Sequence, residues 1–329
     1  ELIADLKKLE GERAIVMLYG TYGFRLPFYM DILRELGPEK KMPVFMRSGG
    51  MFRAPMSEFF GLHKPLTYLE LLAEHFEMKK LFSLADAVSE QSAGALAEVG
   101  KVYGGRVEKL TMGCDFSFWT PPSSAAEKDE ARAALGIGPD KKVFFASGNF
   151  VPRKQLDKLA EVFLALKNRD DFFLLIAGQG ETAQTARLSA LLSPLAAAGK
   201  ARLHPYAEGE ALRRLYRAAD VYVSVATDEG GPASVMKAMA CGLPVLSTPV
   251  GATADKLRES GAGALVPVRG YSEWAASISA MLDGGLPRAL SMEEARKEYD
   301  WGMVAPRFIR LYDDLAEKYY GRANAASRS

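Results

Sequence analysis

The chain has 329 residues, 48% of them apolar, and 42 Lys and Arg stand against 41 Asp and Glu for a formal charge of +1. That length and apolar content can fill two ordinary cores, and the interleaved, balanced charges exclude a basic stripe that tracks phosphates, so nucleic acid is not an expected partner. Cys114 and Cys241 lie far apart with no CxxC partner, which argues against a disulfide framework or a zinc site and for a reducing cytosol.

The opening residues, ELIADLKKLE, read as an amphipathic helix rather than a signal peptide, and no apolar run approaches the length of about 18 residues that spans a membrane. The sequence starts on Glu1 rather than Met, which leaves room for residues upstream. AIVMLYG at 14–20, PVFMRSGG at 43–50, LFSLADAVSEQS at 81–92 and RVEKLTMGCD at 106–115 read as strands. Helices are expected between them near 25–36, 66–79 and 91–99, giving a small Rossmann-like domain. FFGLHKPLTYLELLAEHFEMKKLF at 59–82 carries aromatics beside Lys64, Lys79 and Lys80. It fits an amphipathic helix packed on its own sheet, with a surface lying against a membrane as the second option.

FSFWTPPSSAAEKDE at 116–130 is rich in Pro, Ser and charge, as linkers are, and sets a domain boundary near residue 125. Beyond it, VFFASG at 143–148, FFLLIAG at 172–178, VYVSVA at 221–226, PVLST at 244–248 and ALVPV at 264–268 alternate with helical segments. That is the βαβ grammar of a doubly wound parallel sheet. Leu156, Leu159, Phe163 and Leu166 give the first crossover helix a buried stripe. Ligands of open α/β sheets bind outside the carboxyl ends of the strands, so function is expected in the loops after 148, 178, 205, 226 and 248.

Three of those loops hold unusual residues. NFVPRKQ places Arg153 and Lys154 at the mouth of a helix, where free amides already favour anions; a diphosphate site and a plain surface pair are equally good readings. In GQGE at 178–181, Gly178 and Gly180 let backbone approach a ligand, although a tight turn needs the same glycines. In TDEGGPASVMKAMACGLPVLSTPVGA at 227–252, Gly230 and Gly231 form a flexible turn, Pro232 suits the first helical position and Gly242 ends the helix. Amides from Gly231 through Ala233 to Ser234 would face the cleft, and Glu229 either accepts hydrogen bonds from ligand hydroxyls or merely caps a helix start.

This last unit resembles the signature of the family 4 retaining glycosyltransferases, whose two facing Rossmann-like domains form the GT-B fold. Glu229, AMACGLPVLST at 238–248 and VGA at 250–252 match it; ADAVSE at 85–90, MGCDFSFW at 112–119, LYRAADVYVS at 215–224 and YDWGMVAPRFIRLYDDL at 299–315 follow the family's order. The resemblance covers nearly the whole chain. It implies a two-domain α/β protein with an acceptor-side domain at 1–125, a nucleotide-sugar domain at 126–305 and a C-terminal helix within 306–329 that crosses back to the first domain. It further implies transfer of a sugar, with retention and without a metal ion, from a UDP- or GDP-sugar to a glycan, a lipid-linked acceptor or a small molecule. Lys154 aligns with a lysine on the diphosphate and Glu229 with an acceptor for sugar hydroxyls, and these two are the expected catalytic residues. Gly148, Asn149, Arg153, Lys154, Gly178, Gly180, Glu229, Gly230, Gly231, Ala233, Ser234 and Lys237 make up the expected donor site.

The sequence departs from the family pattern at three places. Lys237 stands where the family has a second Glu that binds ribose hydroxyls, and an ammonium donates where a carboxylate accepts. Asn149 stands where many members carry an Arg, a charge that Arg153 or Lys237 can replace. Gly49 stands where a His faces the cleft, and His63, His75 and His204 do not fit that place. The family's first strands and Gly-rich loop have no counterpart, so the missing sheet lies in residues outside this sequence, in a partner chain, or nowhere; RSGGMFR at 47–53 offers flexible backbone and two cations, or a simple connection. The alternative expectation is therefore a nucleotide-sugar or glycan binding relative that serves as a partner subunit, with epimerisation or phosphorolysis behind it. The expected setting is the cytoplasm, with peripheral contact at the inner face of a membrane left open.

Overall fold

The computed structural model describes residues 14–19, 43–47 and 79–321. The helix expected near 25–36, all but the last residue of the one expected near 66–79, Gly49, His63 and His75 lie outside the described residues. Two compact units divide the chain: Glu1–Met112 with Val304–Ser329, and Gly113–Met303.

In the first unit β1 (Val16–Tyr19), β2 (Val44–Arg47), β3 (Ala87–Glu90) and β4 (Arg106–Lys109) pair in chain order, all parallel. Alternation along each strand sorts its side chains to two faces. Val44, Met46 and Val88 pack with Val99 of α1 (Ala93–Val102). Phe45 and Ala87, on the other face, pack with Leu110 and with Leu311 and Leu315 of the terminal helix, Trp301–Tyr320. The strand expected over 81–92 is confined to Ala87–Glu90, because residues 79–83 are helical and bury the adjacent Leu81 and Phe82 together. The strand expected over 106–115 ends at Lys109.

The units divide at Gly113 rather than near 125. The stretch 116–130 is not a free linker: Phe116 and Trp119 are buried, and Arg217 holds Thr120 through both its carbonyl and its hydroxyl. Its second half starts α2 (Ala125–Ala134), capped by Ser124, whose hydroxyl accepts the Glu127 N–H at 3.2 Å. Pro and Ser content reports local polarity, whereas two buried aromatics decide where this segment lies.

The second unit contains β5 (Lys142–Asn149), α3 (Leu156–Ala165), β6 (Phe172–Gln179), α4 (Thr182–Ala197), β7 (Ala201–His204), α5 (Gly209–Ala218), β8 (Val221–Ser224), α6 (Ala233–Ala240), β9 (Val245–Ser247), α7 (Gly251–Ser260) and β10 (Ala264–Leu265). The sheet order is β10-β9-β8-β5-β6-β7, all parallel. β7 was not among the five expected strands. Its sequence, ARLH, has no β-branched residue, and it lies at the sheet edge, where only one side is paired. β5 is buried on both faces, as parallel sheets are: Phe144 meets Phe163 of α3 edge-on at 5.2 Å, and Phe145 meets Tyr216 of α5 at 4.9 Å. From β5 the chain steps outward to β6 and β7, then returns to β8 on β5's other side. The crevice of such a sheet opens where that order reverses, at the carboxyl ends of β5 and β8.

Candidate functional site

Two turns meet at that point. After β5, Pro152–Lys154 forms a 3-10 turn, and α3 begins only at Leu156, so Arg153 and Lys154 precede the helix instead of opening it. Gln155 separates turn from helix in the left-handed conformation, φ 48°, at a cost on the order of 1 kcal/mol. After β8, the Thr227 N–H donates to Arg153 O at 2.8 Å, fastening the two turns to each other. Arg153 Nη1 donates to Glu229 Oε1 at 2.6 Å and to Asp228 O at 3.2 Å, and Lys154 Nζ contacts the same Oε1. Lys154 and Glu229 are 15% and 10% exposed against 46% for Arg153, so the lysine pair is the less screened by solvent.

A cavity of about 380 Å³ lies beside these turns. The β5 and β6 ends contribute Gly148, Asn149, Arg153, Lys154 and Gly178; the β8 side contributes Glu229, Gly231, Ala233, Ser234 and Lys237. Gly180 and Gly230, also expected there, are not part of its lining. A Cβ on Gly180 would stand 2.5 Å from Phe150 Cβ and 2.9 Å from Phe150 O, so that glycine lets two stretches of main chain pass close together. The Gly230 carbonyl accepts the Ala252 N–H at 2.7 Å. Gly178 allows two strand ends to converge, since a Cβ there would fall 1.9 Å from Gly148 O.

Glu229 is held from behind as well. Gly251 opens α7 with φ 59°, and a Cβ on it would stand 2.0 Å from Glu229 O and 2.5 Å from Gly230 O. α6 starts after Pro232, which occupies the N-cap rather than the first helical position and supplies no side-chain cap. The positive end of the helix is thus available at the cavity wall formed by Ala233 and Ser234. Lys237, one turn on, holds Nζ 4.7 Å from the centroid of the Trp119 ring, which meets Tyr216 edge-on at 5.6 Å.

Tyr216 sets where α6 begins. Its hydroxyl donates to Ser234 O at 2.9 Å, so the 3.1 Å contact with Ser147 must be made by the serine hydroxyl as donor. Tyr222 donates in turn to Ser147 O at 3.2 Å. Burial, with Tyr222 beside it, pushes the Tyr216 phenol well above the usual tyrosine range, so it remains a neutral donor. Tyr216 and Ser147 line the cavity, as do Tyr206 and Glu208 of the loop after β7, and sequence reasoning singled out none of the four. Tyr206 was legible as an exposed aromatic just past residue 205, and its hydroxyl donates to Glu208 at 3.1 Å. His204 is outside the lining, with Nδ1 2.7 Å from Pro205 O.

Elsewhere, buried Arg47 ends β2 with its guanidinium carbon 4.8 Å from the Phe308 ring centroid. The buried Ser89 Oγ and Gln91 Oε1, near the β3 end in sequence, have no hydrogen-bond partner among the described residues. Burial pushes the thiols of Cys114 and Cys241 up to about 12. Among the described residues no cluster of three or more His, Cys, Asp or Glu could hold a metal ion, and no helix is long and apolar enough to cross a membrane.

Comparison with known proteins places these features in a family. D-inositol 3-phosphate glycosyltransferase of Actinosynnema mirum is 30% identical over 254 residues, 74% of this chain and 59% of the relative. The enzyme of that name from Thermobispora bispora is 27% identical over 271 residues, 78% and 61%. The chain therefore spans less than two thirds of the length of either relative. Among solved structures, sucrose-phosphate synthase from Thermosynechococcus elongatus superposes with a TM-score of 0.75 at 18% identity, covering 95% of this chain and 77% of that one. Anabaena HepE in complex with UDP-glucose gives 0.71 at 15% identity, covering 95% and 82%. These likenesses establish an α/β fold of the GT-B type, with two Rossmann-like parallel sheets. The profile of the glycosyl transferases group 1 family matches residues 127–299, more than half of the sequence, and the chain belongs to that family.

Proposed function

We propose that this chain transfers a sugar from a nucleoside diphosphate donor, a UDP- or GDP-sugar, to an acceptor with retention at the anomeric carbon and without a metal ion. The observation that carries the reading is the convergence of Arg153, Lys154, Glu229 and the uncapped start of α6 on one cavity at the switch point of the sheet. HepE, of the same fold, has been solved with UDP and with UDP-glucose.

Cleavage of the sugar–phosphate bond leaves an oxocarbenium-like carbon and adds negative charge to the departing diphosphate. Lys154, with the α6 amides, would stabilise that charge in place, and loss of one such group typically costs on the order of 3 kcal/mol. Glu229 would accept hydrogen bonds from sugar hydroxyls and fix the ring. Acceptor binding is assigned to the first unit, and the acceptor class is a glycan, a lipid-linked acceptor or a small molecule. The proposed setting is the cytoplasm, including the inner membrane face.

Lys237 on Trp119 favours a second reading, a donor-binding subunit without turnover, because the position offers a cation where the family signature offers an acceptor. Incubation with UDP- and GDP-sugars separates the two. Slow donor hydrolysis, lost in Lys154→Ala, supports transfer; ligand-induced thermal stabilisation without hydrolysis supports the binding subunit.

A further inference from the structure

We infer that Glu229 makes the site selective for an intact nucleotide sugar over the spent nucleoside diphosphate, by competing with the terminal phosphate for Arg153 and Lys154; the inference rests on the donor-site reading above. Both cations converge on a single carboxylate oxygen, Oε1. Any phosphate that recruits Lys154 must draw it from Glu229 or share it.

The turn that carries the carboxylate is anchored. The Glu229 side chain is 10% exposed. Its backbone is backed by Gly251, where even a methyl group would overlap Glu229 O, and the next residue's carbonyl is held by the Ala252 N–H. On the other side, the Thr227 N–H ties the same turn to Arg153 O. Glu229 thus presents its negative charge from an anchored turn, within reach of the place where the diphosphate would end.

A negative charge there treats the two ligands differently. A spent nucleoside diphosphate ends in a monoester phosphate that carries close to two charges at neutral pH, and it offers Glu229 no hydroxyl donor. An intact donor carries one charge on that phosphorus, with a sugar attached whose hydroxyls can donate to the carboxylate. Repulsion therefore falls on the product, and hydrogen bonding falls on the donor. When the sugar departs, the ion pairs of Glu229 with Arg153 and Lys154 re-form as the diphosphate leaves, so product release is coupled to recovery of the free site.

The test is calorimetric titration of the full chain and its Glu229→Gln variant with UDP, GDP, UDP-glucose and GDP-mannose. The variant is expected to bind the diphosphate that the wild type accepts about tenfold more tightly while binding the matching nucleotide sugar no more tightly. Glu229→Asp, which keeps the charge, should retain weak diphosphate binding, and Glu229→Ala repeats the test should the Gln variant fail to fold. Unchanged diphosphate affinity in a folded neutral variant, or equal tightening of both ligands, overturns the inference and leaves the donor-site reading standing. Failure of the wild type to bind any of the four probes overturns that reading, and the inference with it.

Discussion

Lys237 holds its ammonium 4.7 Å from the centroid of the Trp119 ring, one helical turn from the uncapped start of α6. The contact contributes about 0.5–2 kcal/mol, depending on how far it is desolvated, and it keeps a third cation at the cavity beside Arg153 and Lys154. If that cation serves the donor's phosphates, Lys237→Ala weakens nucleotide-sugar binding by about threefold to tenfold, and Lys237→Glu weakens it more because it adds a like charge. Titration calorimetry checks the order. Tighter binding by Lys237→Glu would show that the position wants an acceptor and that the cation plays no part.

Arg153 and Lys154 share Glu229 but differ in solvent screening, with side-chain exposures of 46% and 15%. Steady-state hydrolysis of the donor should therefore fall by about a hundredfold or more in Lys154→Ala and by less than about tenfold in Arg153→Ala. Equal losses would place the two charges in equivalent roles.

Tyr216→Phe removes the buried hydroxyl that receives the Ser147 proton and donates to Ser234 O, although both serines are half-buried and the Ser147 hydroxyl keeps a contact to Tyr222 at 3.2 Å. A loss of about 1 kcal/mol in denaturant unfolding is expected. Because Ser234 lies in the first turn of α6, KM for the donor should rise more than kcat falls.

Two glycines with almost the same backbone angle separate strain from collision. Gly261 has φ 64° with nothing within 4 Å of an added Cβ; Gly251 has φ 59° with Glu229 O at 2.0 Å. Gly261→Ala should cost about 1 kcal/mol, whereas Gly251→Ala should cost about 3 kcal/mol or more and impair donor binding, since the turn carrying Glu229 must move. Thermal unfolding and ligand titration of the two variants test the contrast.

Cys114 and Cys241 bear on alkaline stability. Burial raises each thiol from 9.0 to about 12, outweighing the nearby Lys237 at Cys114 and Arg217 at Cys241. A folded pKa above the unfolded one means that the thiols' contribution is complete below pH 9 and is lost as pH climbs from 9 towards 12. Native protein at pH 8 should react with a thiol-specific chromogen only as it unfolds, and a Cys114→Ala, Cys241→Ala double variant should show a shallower loss of stability above pH 9.

Strands β5 and β6 were legible because burial on both faces demands long runs such as FFLLIAG, a signal no turn or surface helix imitates. β7 was not, since half-buried edge residues carry no such demand. Lys154 and Glu229 were found because unusual charges stand out beside strand ends. Tyr216 and Trp119 were passed over because a buried aromatic near the site looks the same in sequence as one in any core. Their roles come from partners brought close only by folding: Ser147 is 69 positions from Tyr216, and Trp119 meets a lysine of α6. Gly180 stands outside the cavity lining, and sequence could not foretell it, since a glycine that clears neighbouring main chain and one that clears a ligand read alike.

The bond from the Thr227 N–H to Arg153 O sets terms for how this protein can change over generations. An insertion in the turn after β5 would carry the two cations out of register with the acid, and one in the turn after β8 would carry the acid away from them. Neither loop can be lengthened alone. Homologues that keep the site should therefore conserve the spacing of both turns to the residue and put their length variation into segments with no such tie, such as the exposed stretch from Gly284 to Leu286 after Tyr271–Leu282.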